Sequence, residues 1–241
     1  MPEGPSLVIL KEKLLPFVGK KITEAYGYAA IDYTVLENKK ITDIRTWGKH
    51  LFICLAKTNI EIHLRMFGSY TINEKKKKKI NAKLSLQFAT GEINFYVTDV
   101  KLTPNLSNFD PAADVLSPEW DPAAARKKIK AIPETMICDA LLDQQLFSGV
   151  GNIIKNEVLW LAKIYPGIAI KNIKPAALTA LLKAVLLYSF EFLDQKKTGT
   201  LSRNWKAYKQ TTCIRCQGDI IKEMMGKGKR GTYYCKKCQV K

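Results

Sequence analysis

The sequence has no run of about 18 consecutive apolar residues, the length a bilayer-spanning helix needs, so no membrane is expected as a partner. It also lacks the basic start and long apolar stretch of a secretory signal, and the expected location is the cytoplasm. Acid is scarce: 22 Asp and Glu stand against 39 Lys and Arg, giving a formal charge of +17. A surplus of that size favours an anionic polymer as partner, although a generally lysine-rich proteome would produce the same excess. No internal repeat is found. Disorder is excluded over most of the length, because 46% of the 241 residues are hydrophobic and a core can be built.

What is present changes character along the chain. "SLVILKEKLL" (Ser6 to about Leu15) reads as a short amphipathic helix with Ser6 as its cap. From about Lys20 to Leu102 the sequence is strand-like: "KITEAYGYA", "KITDIRTW", "HLFICLA", "IEIHLRMF", "AKLSLQF" and "INFYVTD" are rich in β-branched and aromatic residues. "ATGE" at 89–92 supplies a hairpin turn. Several short strands at this spacing predict a β-sandwich or barrel. The lysine run at 75–79 cannot pack against itself and is expected to be solvated, where it could steer an anionic partner.

The proline-rich segment around 102–122 reads as a crossing between domains. Helices follow: one capped by Asp121 with Pro122 in its first turn, then Thr135–Asp143, Asn152 to about Ile164, and Pro175 to about Leu193. The last is very apolar but interrupted by Lys183 and Glu191, which suits the buried spine of a helical domain. The expected organisation is a multidomain α+β protein. It has a β-rich domain at 1–105, a linker at 106–120, a helical domain at 121–205 and a cysteine-bearing module at 206–241.

Of six cysteines, Cys54 and Cys138 lie in apolar segments as small buried residues. Cys213, Cys216, Cys235 and Cys238 form two C-x2-C pairs eighteen residues apart, the spacing of a zinc ribbon. Four thiolates close a tetrahedron and leave no place for water, so the implied Zn2+ is structural. Two disulfides are the alternative, disfavoured in an intracellular chain. Between the pairs, "GKGKRGTYYC" reads as a basic hairpin tip suited to phosphate. "LFSGVGNIIKNEVLW" places Gly149 and Gly151 in a tight turn before a helix. The amides of a helix start bind phosphate well, though such a turn alone is more often a simple connection between packed helices.

Four segments then coincide in order: "PEGP" at the start, "WGKHLF" with "HLRMFGS", "LLDQQLFSGVGN", and "RGTYYCKKCQ" at the end. Together they resemble the formamidopyrimidine-DNA glycosylase and endonuclease VIII family of base-excision repair enzymes, over essentially the whole chain. The resemblance implies an N-terminal β-sandwich, a helix–two-turns–helix domain and a C-terminal zinc ribbon. It implies a monomer acting on damaged double-stranded DNA, at a bacterial nucleoid. Pro2, exposed by loss of Met1, would attack C1′ of the damaged nucleotide through its secondary amine, which has a usable neutral fraction near pH 7. Glu3 would protonate the sugar ring oxygen, with a raised pKa or a transient relay supplying the proton. Lys49 would contact phosphate and donate a proton during elimination. His63, Asn152 and Arg230 match positions that grip the backbone and help expel the base. Arg65, Met66 and Phe67 stand where side chains fill the vacated space; the alternative makes Met66 and Phe67 strand core, but Gly68 beside them favours a turn tip.

Three departures point to the endonuclease VIII branch. The other branch carries an arginine-bearing "DPRRFG" loop; here the matching place reads "TDVKLTPN". The segment between the long helix and Cys213 is too short for the loop that caps 8-oxoguanine. "LLDQ" is the endonuclease VIII form. Oxidised pyrimidines are therefore the expected lesions, with a formamidopyrimidine or 8-oxoguanine enzyme, or a non-catalytic zinc-containing nucleic-acid-binding protein, as the alternatives.

Overall fold

The computed structural model describes residues 2–74 and 81–239. The lysine run at 75–79 lies outside the described residues. The chain divides into two compact units: residues 1–2 with 6–109, and residues 3–5 with 110–241.

The first unit is a β-sandwich. Its opening helix α1 (Gly4–Leu14) sends Leu7, Leu10 and Leu14, spaced three and four apart, into the core. Ser6 lies inside this helix rather than capping it, because Pro5 is tolerated in a first turn and lets the helix start at Gly4. Among the described residues eight strands follow: β1 (Ile22–Gly27), β2 (Asp43–Trp47), β3 (His50–Cys54), β4 (Asn59–His63), β5 (Ser69–Ile72), β6 (Leu84–Phe88), β7 (Gly91–Tyr96) and β8 (Asp99–Thr103). They form two antiparallel sheets, ordered β1-β6-β7-β5 and β2-β3-β4-β8. Ile22, Leu84, Leu86, Ile93 and Phe95 from one sheet and Ile44, Leu51, Ile53, Ile60 and Ile62 from the other share the core.

The expected β6–β7 hairpin is present, with Phe88 opposite Gly91 across a two-residue turn. "INFYVTD", expected as one strand, is two. Val97 takes a left-handed φ of 54°, and the chain leaves one sheet as β7 and enters the other as β8. Most of "TDVKLTPN", compared above with a loop, is therefore strand β8 paired to β4.

The second unit is helical and ends in a two-stranded ribbon. α2 (Pro122–Lys130) is capped as expected: the Asp121 carboxylate accepts from Ala123 and Ala124 N–H. α3 covers only Ile137–Ala140; beyond it the backbone bonds tighten to three-residue spacing, Leu142 N–H to the Asp139 carbonyl and Asp143 N–H to the Ala140 carbonyl, and the Asp143 carboxylate then accepts from Gln145 N–H at 2.9 Å. α4 spans Asn152–Leu161 and stops before the expected Ile164, where Lys163 turns left-handed. α5 (Pro175–Lys197) is the expected spine, with Leu178, Leu181, Val185, Tyr188 and Phe192 in the core. By length and composition alone α5 could also cross a membrane, a property it shares with core helices of soluble proteins. β9 (Ile220–Met225) and β10 (Arg230–Cys235) complete the unit as an antiparallel hairpin.

Candidate active site

Glu3 is fully buried. Its carboxylate accepts N–H bonds from Gly151 at 3.2 Å, Ile153 at 2.7 Å and Ile154 at 3.2 Å, at the start of α4. These are amides that a helix leaves without an internal partner, and the positive end of the helix dipole faces the same carboxylate. Gly4 N–H donates to the Gly149 carbonyl at 2.9 Å. A Cβ on Gly151 would stand 2.4 Å from the Glu3 carboxyl carbon, and one on Gly4 would stand 2.8 Å from Gly149 Cα. The two sequence motifs "PEGP" and "SGVGN" are thus halves of one clasp. The helix-start amides, considered above as a phosphate cradle, are held by Glu3 instead. Pro2 precedes the clasp and is half-buried.

α4 has almost no solvent face. Asn152 is buried; its Nδ2 donates to the Gly231 carbonyl at 3.0 Å, while its Oδ1 has no protein partner. Lys155 is buried, donates to Thr232 Oγ1 at 2.8 Å, and is pushed down to about 8 chiefly by loss of water. Asn156 accepts from Tyr233 N–H at 2.6 Å. Glu157 accepts from the amides of Lys206, Ala207 and Tyr208, holding down the segment after α5. Trp160 Nε1–H donates to Cys213 Sγ at 3.3 Å. Asp139 on α3 accepts from Lys227 N–H at the ribbon tip, where a Cβ on Gly226 would lie 2.1 Å from its Oδ1. Arg230, beside that tip, is exposed. Lys155, Glu157 and Asp139 escaped sequence reasoning; the only hint was three consecutive polar residues in "NIIKNEVLW", which resemble a solvated helix face.

The donor atoms of Cys213, Cys216, Cys235 and Cys238 all lie within 4.8 Å of one another, so the four could hold a metal ion. Burial opposes ionisation of Cys213, yet the Trp160 indole and the Arg215 and Cys216 amides bring it down to about 6. Burial and its sulfur neighbours push Cys238 up to about 12. Four soft donors at this separation fit one tetrahedral ion.

In the sandwich unit, Lys49 sits at the two-residue turn between β2 and β3, where Gly48 has a φ of 52° and Trp47 faces His50. His50 Nδ1 lies 3.0 Å from Glu61 Oε1, and Thr103 Oγ1 donates to Glu61 Oε2 at 2.8 Å. The His50 ring is 4.9 Å from that of His63 and 5.6 Å from Phe109. His63 Nδ1 accepts from Arg65 N–H at 3.1 Å, which leaves Nε2 to carry the proton. Burial first, then the charges of His50 and Arg65, push His63 down to about 4. A cleft of about 190 Å³ lies among His50, Glu61, His63, Arg65, Asp99 and Lys101. Arg65 is paired with Asp99, whose acidity its guanidinium strengthens. Met66 and Phe67 form a turn tip, Phe67 being 78% exposed, and are not strand core.

A β-sandwich unit, a short helix and turns leading into a second helix, and a terminal four-cysteine hairpin define a protein of the helix–two-turns–helix class. Family models described as the formamidopyrimidine-DNA glycosylase N-terminal domain and the formamidopyrimidine-DNA glycosylase H2TH domain match residues 1–102 and 111–200. The chain belongs to the formamidopyrimidine-DNA glycosylase and endonuclease VIII family. Endonuclease 8-like 3 of Mus musculus is 30% identical over 205 residues, covering 81% of this chain and 34% of the relative. The chain therefore spans about a third of the length of that relative. The DNA-(apurinic or apyrimidinic site) lyase Nei2 of Mycolicibacterium smegmatis is 28% identical over 255 residues, 99% of each chain. The Lactococcus lactis formamidopyrimidine-DNA glycosylase, solved non-covalently bound to DNA containing an abasic site, superposes with a TM-score of 0.87 at 24% identity. It covers 99% of this chain and 100% of that one, and shares the fold.

Proposed function

We propose that the chain is a bifunctional DNA glycosylase and abasic-site lyase that removes oxidised pyrimidines from double-stranded DNA. The clasp of Glu3 at the start of α4 carries this reading, since a binding module needs no buried carboxylate directly after Pro2. Relatives named as a lyase and as endonuclease 8-like proteins support it.

With Met1 removed, the Pro2 nitrogen attacks C1′ and forms the N–C1′ bond. Glu3 accepts three amide N–H bonds, which fix the position of its carboxylate oxygens. It takes the proton released by the amine and passes it to the ring oxygen as the C1′–O bond breaks. The nitrogen lone pair then expels the base, leaving an iminium that acidifies the neighbouring carbon. Elimination cuts the strand first on the 3′ side and then on the 5′ side, with Lys49 supplying a proton to the departing phosphate. His63, neutral with its proton on Nε2, and exposed Arg230 donate to backbone phosphates, and Met66 and Phe67 fill the space left by the extruded base. Cys213, Cys216, Cys235 and Cys238 hold one Zn2+, which supplies rigidity to the Arg230 hairpin and no chemistry to the reaction.

The lesion class is supported by the missing arginine in "TDVKLTPN" and by the short segment before Cys213, tied down by Glu157. An arginine reading the orphaned cytosine would contribute about 1–3 kcal/mol of discrimination. The test is borohydride trapping on a lesion panel, with peptide mapping of the adduct and single-turnover rates. Attachment at Pro2 and faster release of thymine glycol than of 8-oxoguanine opposite cytosine are expected. An adduct on a lysine would overturn the mechanism; faster 8-oxoguanine release would overturn the lesion class.

A further inference from the structure

Helix α5 carries more apolar surface than its core uses. Less than half of its most apolar stretch is buried. On the side away from the core, Lys183, Leu187 and Phe190 follow one another at intervals of four and three, with Leu187 56% and Phe190 46% exposed. Beside this stripe a groove of about 680 Å³ opens, lined by Trp120 and by residues of α2 and α5. Trp120, Leu182 and Leu186 line it with apolar surface. Arg126, Lys127 and Lys130 of α2 and Lys183 of α5 supply its charge, and none of the residues lining it is acidic.

We propose that this groove docks an acidic amphipathic segment of a partner protein, with apolar side chains on Trp120, Leu182 and Leu186 and carboxylates toward the four cations. An apolar stripe at helical spacing is what an amphipathic helix reads, and cations of one sign select the charge of its other face. DNA is the poorer occupant, since phosphates and sugars gain nothing from a leucine floor. A bilayer is flat where this surface is concave. A second copy would set the same four cations against each other across a two-fold contact. The proposal is independent of the glycosylase reading, because none of these side chains belongs to the clasp, the Lys49 turn or the cysteine site.

The test is to pan a random peptide library of about 16 residues, some four helical turns, on the full chain and to measure enriched peptides by tryptophan fluorescence. Enrichment of Asp- and Glu-rich sequences with apolar residues three and four apart is expected. Their binding should weaken about tenfold or more in Leu186→Asp, the scale set by losing one buried leucine. The double variant Lys127→Glu, Lys130→Glu should weaken it comparably, with the melting temperature kept in both. No enrichment, basic or uncharged consensus peptides, or binding indifferent to both variants would overturn the proposal. So would displacement of the peptides by a short DNA duplex or by phosphatidylserine vesicles, or a dimer in sedimentation that Leu186→Asp dissolves.

Discussion

Gly151 and Glu3 show how a single missing carbon can define a site. Gly151 has an ordinary extended backbone, φ −120°, so alanine is excluded there by contact with Glu3 and not by backbone strain. Gly151→Ala should cost about 1–3 kcal/mol in denaturant unfolding, the scale of overpacking a closed site, and should displace the carboxylate. A variant of unchanged stability would mean the clasp yields freely. His63 makes a second prediction at this scale. Its pKa is lowered from 6.5 to about 4, so the unfolded chain binds more protons between those values. Stability from this residue is complete above about pH 6.5 and is lost as the pH falls toward 4; His63→Gln should flatten that part of a melting-temperature profile. An unaltered profile would remove His63 as its source. Pro2, Glu3, Lys49 and His63 each sit in a short motif, which is how the sequence singles them out. His50 and Glu61 are not singled out, since their pairing depends on β3 lying beside β4.

At the scale of elements, α4 does several things at once. Its first turn holds Glu3, its first half binds β10 through Asn152, Lys155 and Asn156, and Trp160 near its end touches Cys213. The polar run Lys155-Asn156-Glu157 reads as a solvated face in sequence because its partners lie about 50–80 positions away, beyond any local pattern. The cysteine ribbon, by contrast, was legible because the spacing within each pair is itself the structural requirement. β5 left no readable signal: all four of its residues are half-buried, so inward and outward positions do not alternate. A chelator that removes any ion held by the four cysteines, or Cys213→Ser, should loosen the hairpin, lower the melting temperature and weaken DNA binding, since a closed site of this kind supplies folding energy to a small module when it holds a metal. Trp160 fluorescence should report the change. Metal-free protein with undiminished DNA affinity would take the ribbon out of the binding surface.

For the whole molecule, +17 of formal charge predicts binding that is strongly salt-dependent, with a log–log slope set by the number of phosphates neutralised. Arg230→Ala should weaken every duplex alike and reduce that slope by about 1, as filter binding at several salt concentrations would record. A sequence-dependent loss at constant slope would assign Arg230 to base reading instead. The division into a strand-rich and a helical part was legible from composition; that residues 3–5 belong with the second part was not, because nothing local to them names a partner some 150 positions away. That assignment has a consequence for how the molecule is made. Glu3 is synthesised some 150 residues before the amides that receive it. At about 5–20 residues per second the delay is roughly 8–30 s. During that interval the Glu3 carboxylate has no helix start to dock on, and it is enclosed only once α4 has been made.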